Sequence, residues 1–166
     1  MAGDLTIRVA EVGDSDLIHA GLLAMARAMG DADKITSTSA DIRKYGFGDH
    51  PAFEVLIAER DGTFVGLCLT FASFSTWRGQ PGIFVQDLYV DEAYRGGRIG
   101  EALLRAVARR GKAKGAGYIR LSVDVDNKKA EAFYERLGIT HSRDEHIHMI
   151  KGDAFDAFAA SGVETP

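Results

Sequence analysis

Residues 85–100, VQDLYVDEAYRGGRIG, constrain the fold of this chain more than any other stretch. An apolar, strand-like segment runs into a glycine-rich turn, and the turn runs into the helical pattern EALLRAVARR. Such a turn leaves backbone N–H groups without partners and presents the positive end of a helix dipole. Its glycines also let an anion approach the backbone closely. The segment therefore predicts a strand–turn–helix unit that binds phosphate.

Spacing excludes the two commonest phosphate loops. The turn lacks G-x-x-x-x-G-K-[ST], and Gly96, Gly97 and Gly100 do not form G-x-G-x-x-G. The remaining pattern is [R/Q]-x-x-G-x-[G/A] after a strand, which this chain matches at Arg95 and Gly100, with Arg98 in place of the first glycine. In this respect the turn resembles a type of loop that binds coenzyme A.

The composition is that of one globular domain. Of 166 residues, 46% are hydrophobic and 27% charged, which is enough apolar material for a self-sufficient core. The net charge of -4 and the lack of a basic stripe argue against nucleic acid and suit a cationic substrate. The N-terminus lacks a signal-peptide pattern, and no apolar run approaches the ~20 residues that span a bilayer. We expect a single cytoplasmic domain over residues 1–166 that binds neither nucleic acid nor membrane.

The cysteine and the histidines predict no metal site. Cys68 is the only cysteine, so an internal disulfide and a cysteine metal cage are excluded. Its apolar surroundings, VGLCLTF, predict a buried, unreactive thiol. His146 and His148 fall on one face of a predicted strand, where a surface pair is more common than a metal site.

Hydrophobic periodicity and turn residues predict a mixed α/β fold. Asp61-Gly62 between two apolar runs is a strong hairpin signal, and Thr38 or Ser39 can cap a short helix. The predicted strands are 5–10, 53–60, 63–74, 82–90, 118–125 and 146–151, and the predicted helices are 17–29, 39–45, 98–112, 128–137 and 153–160.

Together these elements and motifs resemble the GNAT superfamily of N-acetyltransferases. QDLYVDEAYRGGRIGEALLRAVA is similar to the acetyl-CoA loop, and DNKKAEAFYERLGI to the later Asn…Phe-Tyr-x-x-x-Gly segment. FASFSTWRGQPGIFVQDLYV is similar to the aromatic hairpin and strand of the spermidine/spermine (diamine) acetyltransferase branch. The resemblance implies a mostly antiparallel, twisted sheet with parallel strands splayed at the acetyl-CoA site, flanking helices and a homodimer.

The resemblance also implies an activity. It is the direct transfer of an acetyl group from acetyl-CoA to a primary amine of a small molecule, without a metal. The acceptor would be a diamine, a polyamine or an amino acid with a side-chain amine. Two alternatives stay open, a non-catalytic module that binds or senses acyl-CoA and a protein N-acetyltransferase.

Matching positions supply the site residues. Backbone groups of the loop would bind the pyrophosphate, and the strand before the loop would line the pantetheine arm and polarise the thioester carbonyl. The residues implied to contact the coenzyme are Leu88, Tyr89, Val90, Arg95, Gly96, Gly97, Arg98, Ile99, Gly100, Glu101, Asn127, Ala130 and Tyr134.

Tyr134 matches the general acid that protonates the leaving thiolate. Asp87 and Gln86 match the substrate-binding positions, and Trp77 would line the substrate mouth or pin its hairpin turn. Gln86 cannot act as a base, because an amide does not ionise. This departure indicates either a substrate less cationic than a polyamine or a base from elsewhere in the chain, with Asp41, Asp49, His50 and Glu54 as candidates.

Two residues depart from the family pattern. Arg98 stands where the loop usually has glycine, and Gln86 stands where the diamine branch has Glu. Arg98 would crowd the phosphate with its Cβ or clamp it with its guanidinium.

Overall fold

Five strands pair into one sheet in the part of the chain that the structure, a computed structural model, describes: residues 3–160. These residues fall into two compact units that divide after Asp124. The elements of the first unit are β1 Leu5–Val9, α1 Ser15–Met29, α2 Ser39–Gly46, β2 Glu54–Arg60, β3 Thr63–Ser75, β4 Gln80–Val90, α3 Ile99–Ala113 and β5 Ile119–Leu121.

The sheet has the order β1-β2-β3-β4-β5 and is antiparallel except between β4 and β5. Asp61 and Gly62 join β2 to β3 with φ values of 50° and 76°, the left-handed conformation that tight hairpins require. Gly66 lies where β3 approaches β4 closely, since a Cβ there would stand 2.5 Å from the carbonyl oxygen of Tyr89. The predicted mixed, mostly antiparallel sheet is confirmed.

A bulge interrupts the pairing of β3 with β4. Leu69 pairs with Asp87 and Thr70 with Val85, so Gln86 is the extra residue on β4. On its other side β4 pairs with β5 only at residues 83–85. Beyond Val85, β4 therefore has no strand beside it on that edge among the described residues. Because β5 ends at Leu121, the splay of two parallel strands that the resemblance implied stays a prediction.

Helices cover both faces of the sheet. On one face, Ile18 and Leu22 of α1 and Ile42 of α2 pack against a buried cluster of strand side chains. On the other face, α3 buries its apolar stripe against β2, β3 and β4. Thr38 caps α2 as predicted: it forms a reciprocal capping box with Asp41.

The second unit contains α4 (Lys128–Arg136) and α5 (Asp153–Ala160). The predicted strand at residues 146–151 is wrong, because that segment has no regular structure. Alternating apolar residues mark an amphipathic segment, but a strand persists only when it pairs, and the described residues of this unit contain no other strand. The strand predicted at 118–125 is shorter than expected and ends at Leu121.

No helix among residues 3–160 combines the length and the apolar character that crossing a membrane requires.

Candidate functional site

The glycine-rich turn forms an open cradle at the start of α3. Gly96 has a φ of 81°, and α3 begins one residue after Arg98. The first backbone hydrogen bond of this helix runs from the N–H of Ala102 to the carbonyl of Arg98 at 3.0 Å. Within the described chain, the N–H groups of residues 96–101 donate no hydrogen bond. These donors at a helix N-terminus fit an anionic ligand such as a pyrophosphate.

Arg98 adopts a left-handed conformation with a φ of 58°. This conformation is costly for a residue with a Cβ, which gives a physical reason for glycine in the family pattern. The side chain is 83% exposed, and its Nε lies 3.2 Å from Oε2 of Glu101. Ion pairs with Arg105 and with Arg98 hold the pKa of Glu101 below its usual value. The guanidinium of Arg98 is thus engaged with α3, and its contact with a phosphate stays a prediction.

Arg95 ties the cradle to the end of β4. Its Nε donates a hydrogen bond to the carbonyl of Val90 at 3.1 Å. Asp91 shapes the same connection, because its Oδ1 accepts from the N–H of Ala93 at 2.9 Å. The loop is therefore held by local hydrogen bonds while its own N–H groups stay available.

Arg60 is a cation beside the cradle that the sequence motifs miss. It ends β2, and both of its terminal nitrogens lie 3.6 Å from the position that a Cβ on Gly97 would occupy. Its Nε is buried and has no hydrogen-bond acceptor among the described residues. This charge adds to the attraction of the cradle for an anion. No local signal identifies it, since the residue is distant in sequence and belongs to another strand.

Asp87 faces a pocket of about 290 Å³ on the α1 side of β4. Burial raises the pKa of its carboxyl above the usual value. The structure shows no hydrogen bond or ion pair to this carboxylate within residues 3–160. The other lining residues come from α1 and from the connection to α2: Leu22, Met25, Ala26, Met29, Asp31, Lys34, Ile35 and Ser37.

An unpaired carboxylate in a mostly apolar pocket is unfavourable for the free protein and favourable for a cationic ligand. Gln86, one residue earlier, is exposed because the bulge places it outside the regular alternation. Of the two predicted substrate-binding neighbours, only Asp87 lines this pocket.

Trp77 lies in the turn between β3 and β4, and its side chain is fully exposed. It therefore does not pin the hairpin turn by packing. The strand from Gln80 to Asp87 separates it from the pocket by roughly 23 Å, at ~3.3 Å per residue. A contact between Trp77 and a substrate stays a prediction.

Two of the candidate bases have structural partners. Glu54 forms ion pairs with Arg110 at 2.5 Å and Lys114 at 3.3 Å, which hold its pKa below the usual value. Asp41 is held by Thr38 in the capping box, and its pKa is also lowered. Lowered pKa values make both carboxylates weak proton acceptors.

Cys68 is fully buried, as predicted. Burial, with a smaller effect from Asp87, raises the pKa of its thiol to about 12. A thiol of this kind stays protonated at neutral pH and is unreactive.

In the second unit, Asn127 caps α4 by accepting a hydrogen bond from the N–H of Ala130 at 3.1 Å. The rings of Phe133 and Tyr134 meet edge to face with centroids 5.2 Å apart. The capping role predicted as one option for Asn127 is confirmed. The coenzyme contacts of Asn127, Ala130 and Tyr134 stay predictions.

Comparison with known proteins gives consistent matches. A sequence profile of the acetyltransferase (GNAT) family matches residues 23–139. Thialysine N-epsilon-acetyltransferase of Sus scrofa is 32% identical over 92% of this chain and 96% of its own length. Spermidine/spermine N(1)-acetyltransferase-like protein 1 of Homo sapiens is 28% identical over 87% of this chain and 22% of its own length.

A solved structure shares the fold. It is an integron cassette protein from the mobile metagenome of V. cholerae, with a TM-score of 0.79 and 20% sequence identity. The match covers 95% of this chain and 98% of that protein.

The conformation of Arg98 predicts that glycine stabilises the loop. Arg98→Gly and Arg98→Ala both remove the ion pair with Glu101, but only glycine relieves the left-handed backbone. We expect the free energy of unfolding, measured by urea denaturation, to be about 1 kcal/mol higher for the glycine variant than for the alanine variant. Equal stability of the two variants would show that the loop does not hold residue 98 in this conformation.

Proposed function

We propose that this chain, which belongs to the acetyltransferase (GNAT) family, transfers an acetyl group directly from acetyl-CoA to an amine. The acceptor is a primary amine of a small molecule. Family membership confirms the predicted resemblance to GNAT N-acetyltransferases. The relatives named above confirm the resemblance to the spermidine/spermine branch of that family. Asp87 is the observation that supports an amine as the acetyl acceptor. Its carboxylate is largely buried, lines the pocket and has no partner among the described residues. By its name, the relative from Sus scrofa acetylates thialysine, and the human relative is named as similar to a spermidine/spermine acetyltransferase.

The coenzyme would bind along the cradle and the free edge of β4. N–H groups of residues 96–101 would hold the pyrophosphate, with Arg60 and Arg95 adding positive charge nearby. The unpaired edge at residues 88–90 would bond the pantetheine amides and polarise the thioester carbonyl. One N–H held at a developing oxyanion contributes ~3 kcal/mol to catalysis of acyl transfer.

Asp87 would hold the incoming ammonium, whose pKa resembles the ~10.4 of lysine. The ammonium must lose a proton before it attacks. The proton would pass to Asp87 directly or through one water. The amine nitrogen then bonds to the carbonyl carbon, the carbon–sulfur bond breaks, and the thiolate takes a proton from the Tyr134 hydroxyl. The products are an N-acetylated amine, coenzyme A and one proton released to solvent.

The diamine-acetyltransferase resemblance also supports a cytoplasmic homodimer. Phe74 and Trp77, which are 60% and 100% exposed at one end of the β3–β4 hairpin, are available to contact a second copy.

Asp87→Asn tests the assignment of the amine. Loss of the negative charge should raise KM for the amine at least about tenfold, while KM for acetyl-CoA changes little. Thiol release in the presence of acetyl-CoA and an amine measures both constants. An equal rise in KM for the amine and for acetyl-CoA would show that Asp87 does not bind the amine specifically.

The melting temperature controls for misfolding of this variant. Because the folded-state pKa of Asp87 is raised, its contribution to stability is present at low pH and is lost as the pH rises through that pKa. The asparagine side chain does not ionise, so the variant should melt no lower than the parent protein at neutral pH. Tight binding of acetyl-CoA by the parent protein without thiol release on any amine would favour a non-catalytic acyl-CoA module.

Tyr134→Phe tests the general acid. The change removes one hydroxyl and keeps the ring beside Phe133, so kcat should fall about 100-fold while affinity for acetyl-CoA stays within about twofold. Single-turnover acetyl transfer gives the rate, and calorimetry gives the affinity. An unchanged kcat would remove Tyr134 from this role.

A further inference from the structure

We infer that two copies of this chain pair about a twofold axis, with Trp77 of each copy inserted into a cavity beside α3 of the other. The inference rests on the homodimer of the proposed function and assigns its interface. Two features of the first unit support it, a large apolar cavity and an exposed aromatic hairpin. The acetyl-transfer steps described above use neither feature.

The first feature, here called the α3 cavity, lies between α3 and strands β2, β3 and β4. Its volume is about 450 Å³, against about 290 Å³ for the pocket that Asp87 faces, and the two share no lining residue. Cavities of ~300–1,000 Å³ accommodate drug-sized groups, so the α3 cavity is large enough for an indole ring. Its apolar lining includes Phe53, Leu56, Phe71, Ile83 and Val107.

The second feature is the end of the β3–β4 hairpin. β2 pairs with β3 no further than Thr70, so residues 71–75 of β3 have β4 alone beside them among the described residues. Thr70 and Ala72 line the α3 cavity, and Phe74 is the next residue in the same alternation. Trp77 follows in the turn, with its side chain fully exposed. Apolar surface therefore continues from the α3 cavity to the tip of the hairpin.

The α3 cavity and the hairpin tip form a surface that is complementary to itself. At ~3.3 Å per residue, Trp77 lies roughly 16 Å along the hairpin from Ala72. When two hairpins lie side by side in opposite directions, the tip of each reaches the α3 cavity at the base of the other. A twofold interface requires this arrangement, because one patch must supply both the inserted group and the site that receives it.

The charged rim of the α3 cavity suits an aromatic ring. Nε and Nη2 of Arg110 bind the carboxylate of Glu54 edge-on, with Nη2 2.7 Å from Oε2. This contact leaves the flat faces of the guanidinium free to stack on an indole. Lys114 lies beside them and is 62% exposed. The negative face of an indole attracts both cations, so the rim and Trp77 are complementary in charge.

The area is sufficient for a specific dimer. Insertion of Trp77 and Phe74 removes roughly 350 Å² of the tip from solvent, since a buried aromatic side chain covers ~150–250 Å². The receiving surface loses a similar area, and the twofold axis doubles both. The total of roughly 1,400 Å² falls within the ~1,200–2,000 Å² of specific interfaces.

Trp77 is the only tryptophan of the chain, so the intrinsic fluorescence of the full chain reports the environment of this one side chain. Analytical ultracentrifugation identifies the concentrations at which the dimer forms. Over that range we expect the emission maximum to move to shorter wavelength and acrylamide quenching to decrease. For a dimer too tight to dissociate, we expect quenching well below that of free N-acetyltryptophanamide. A dimer whose Trp77 is quenched like the free compound would overturn the inference.

Two substitutions test the two halves of the contact. Trp77→Ala removes the inserted ring, and Ala72→Glu places a carboxylate at the wall of the α3 cavity while it keeps the fluorescent reporter. Each should raise the Kd of the dimer at least about tenfold, as loss of a central aromatic contact does. Ala72→Glu should also restore the emission of an exposed Trp77.

Matched controls change similar residues elsewhere. Tyr45→Ala removes an exposed aromatic ring of α2, and Ala108→Glu adds a carboxylate to the exposed face of α3 outside the α3 cavity. Both controls should leave the Kd of the dimer unchanged. Melting temperatures close to that of the parent protein show that all four variants are folded.

A dimer that either Trp77→Ala or Ala72→Glu leaves intact would overturn the inference and leave the homodimer standing on another surface. A monomer at every concentration would reject the inference and the homodimer together, while thiol release with acetyl-CoA and an amine tests acetyl transfer separately. Weaker dimers in both variants, with both controls unchanged, would support the inference.

Discussion

The bulge in β4 is the constraint on which the site depends. It inserts Gln86 between Val85 and Asp87, just where the pairing of β4 with β5 ends. One extra residue shifts the alternation of the strand, so the residues after it change faces. The shift directs Gln86 to solvent and Asp87 into the pocket beside α1, while the edge of β4 beyond Val85 is left without a strand partner among the described residues.

Two sites that attract opposite charges lie beside β4. The loop after β4 offers free N–H groups with Arg60 and Arg95 close to them, so this end of the strand attracts anions. The pocket beside the same strand contains Asp87 and attracts cations. An enzyme that transfers an acyl group from a phosphate-bearing donor to an amine needs a site for anions and a site for cations next to each other. The free edge of β4 lies between them in sequence.

Sequence motifs of a few residues correctly predicted the turns and helix caps that depend only on neighbouring residues. The Asp61-Gly62 hairpin and the capping box of Thr38 with Asp41 were predictable because each depends on backbone or side-chain preferences within a few residues. The strand–turn–helix of the loop was predictable for the same reason.

Features that depend on distant partners were not predictable in this way. The position of the bulge depends on two strands pairing, and the approach of Arg60 to Gly97 depends on the order of strands in the sheet. The pocket that Asp87 faces requires α1 and the connection after it to fold against β4. The strand expected at 146–151 failed because alternation alone does not supply a pairing partner.

The protonation of Asp87 tests most directly that this carboxylate binds the amine. Carbon-13 NMR of the side-chain carboxyl, assigned by its disappearance in Asp87→Asn, reports its pKa with and without a bound amine. We expect a pKa above the usual aspartate value in the free protein, since burial disfavours the charge. We expect that pKa to fall when an amine is added to the protein saturated with coenzyme A, because an ammonium stabilises the carboxylate. A titration curve that the amine leaves unchanged would show that Asp87 does not bind the amine.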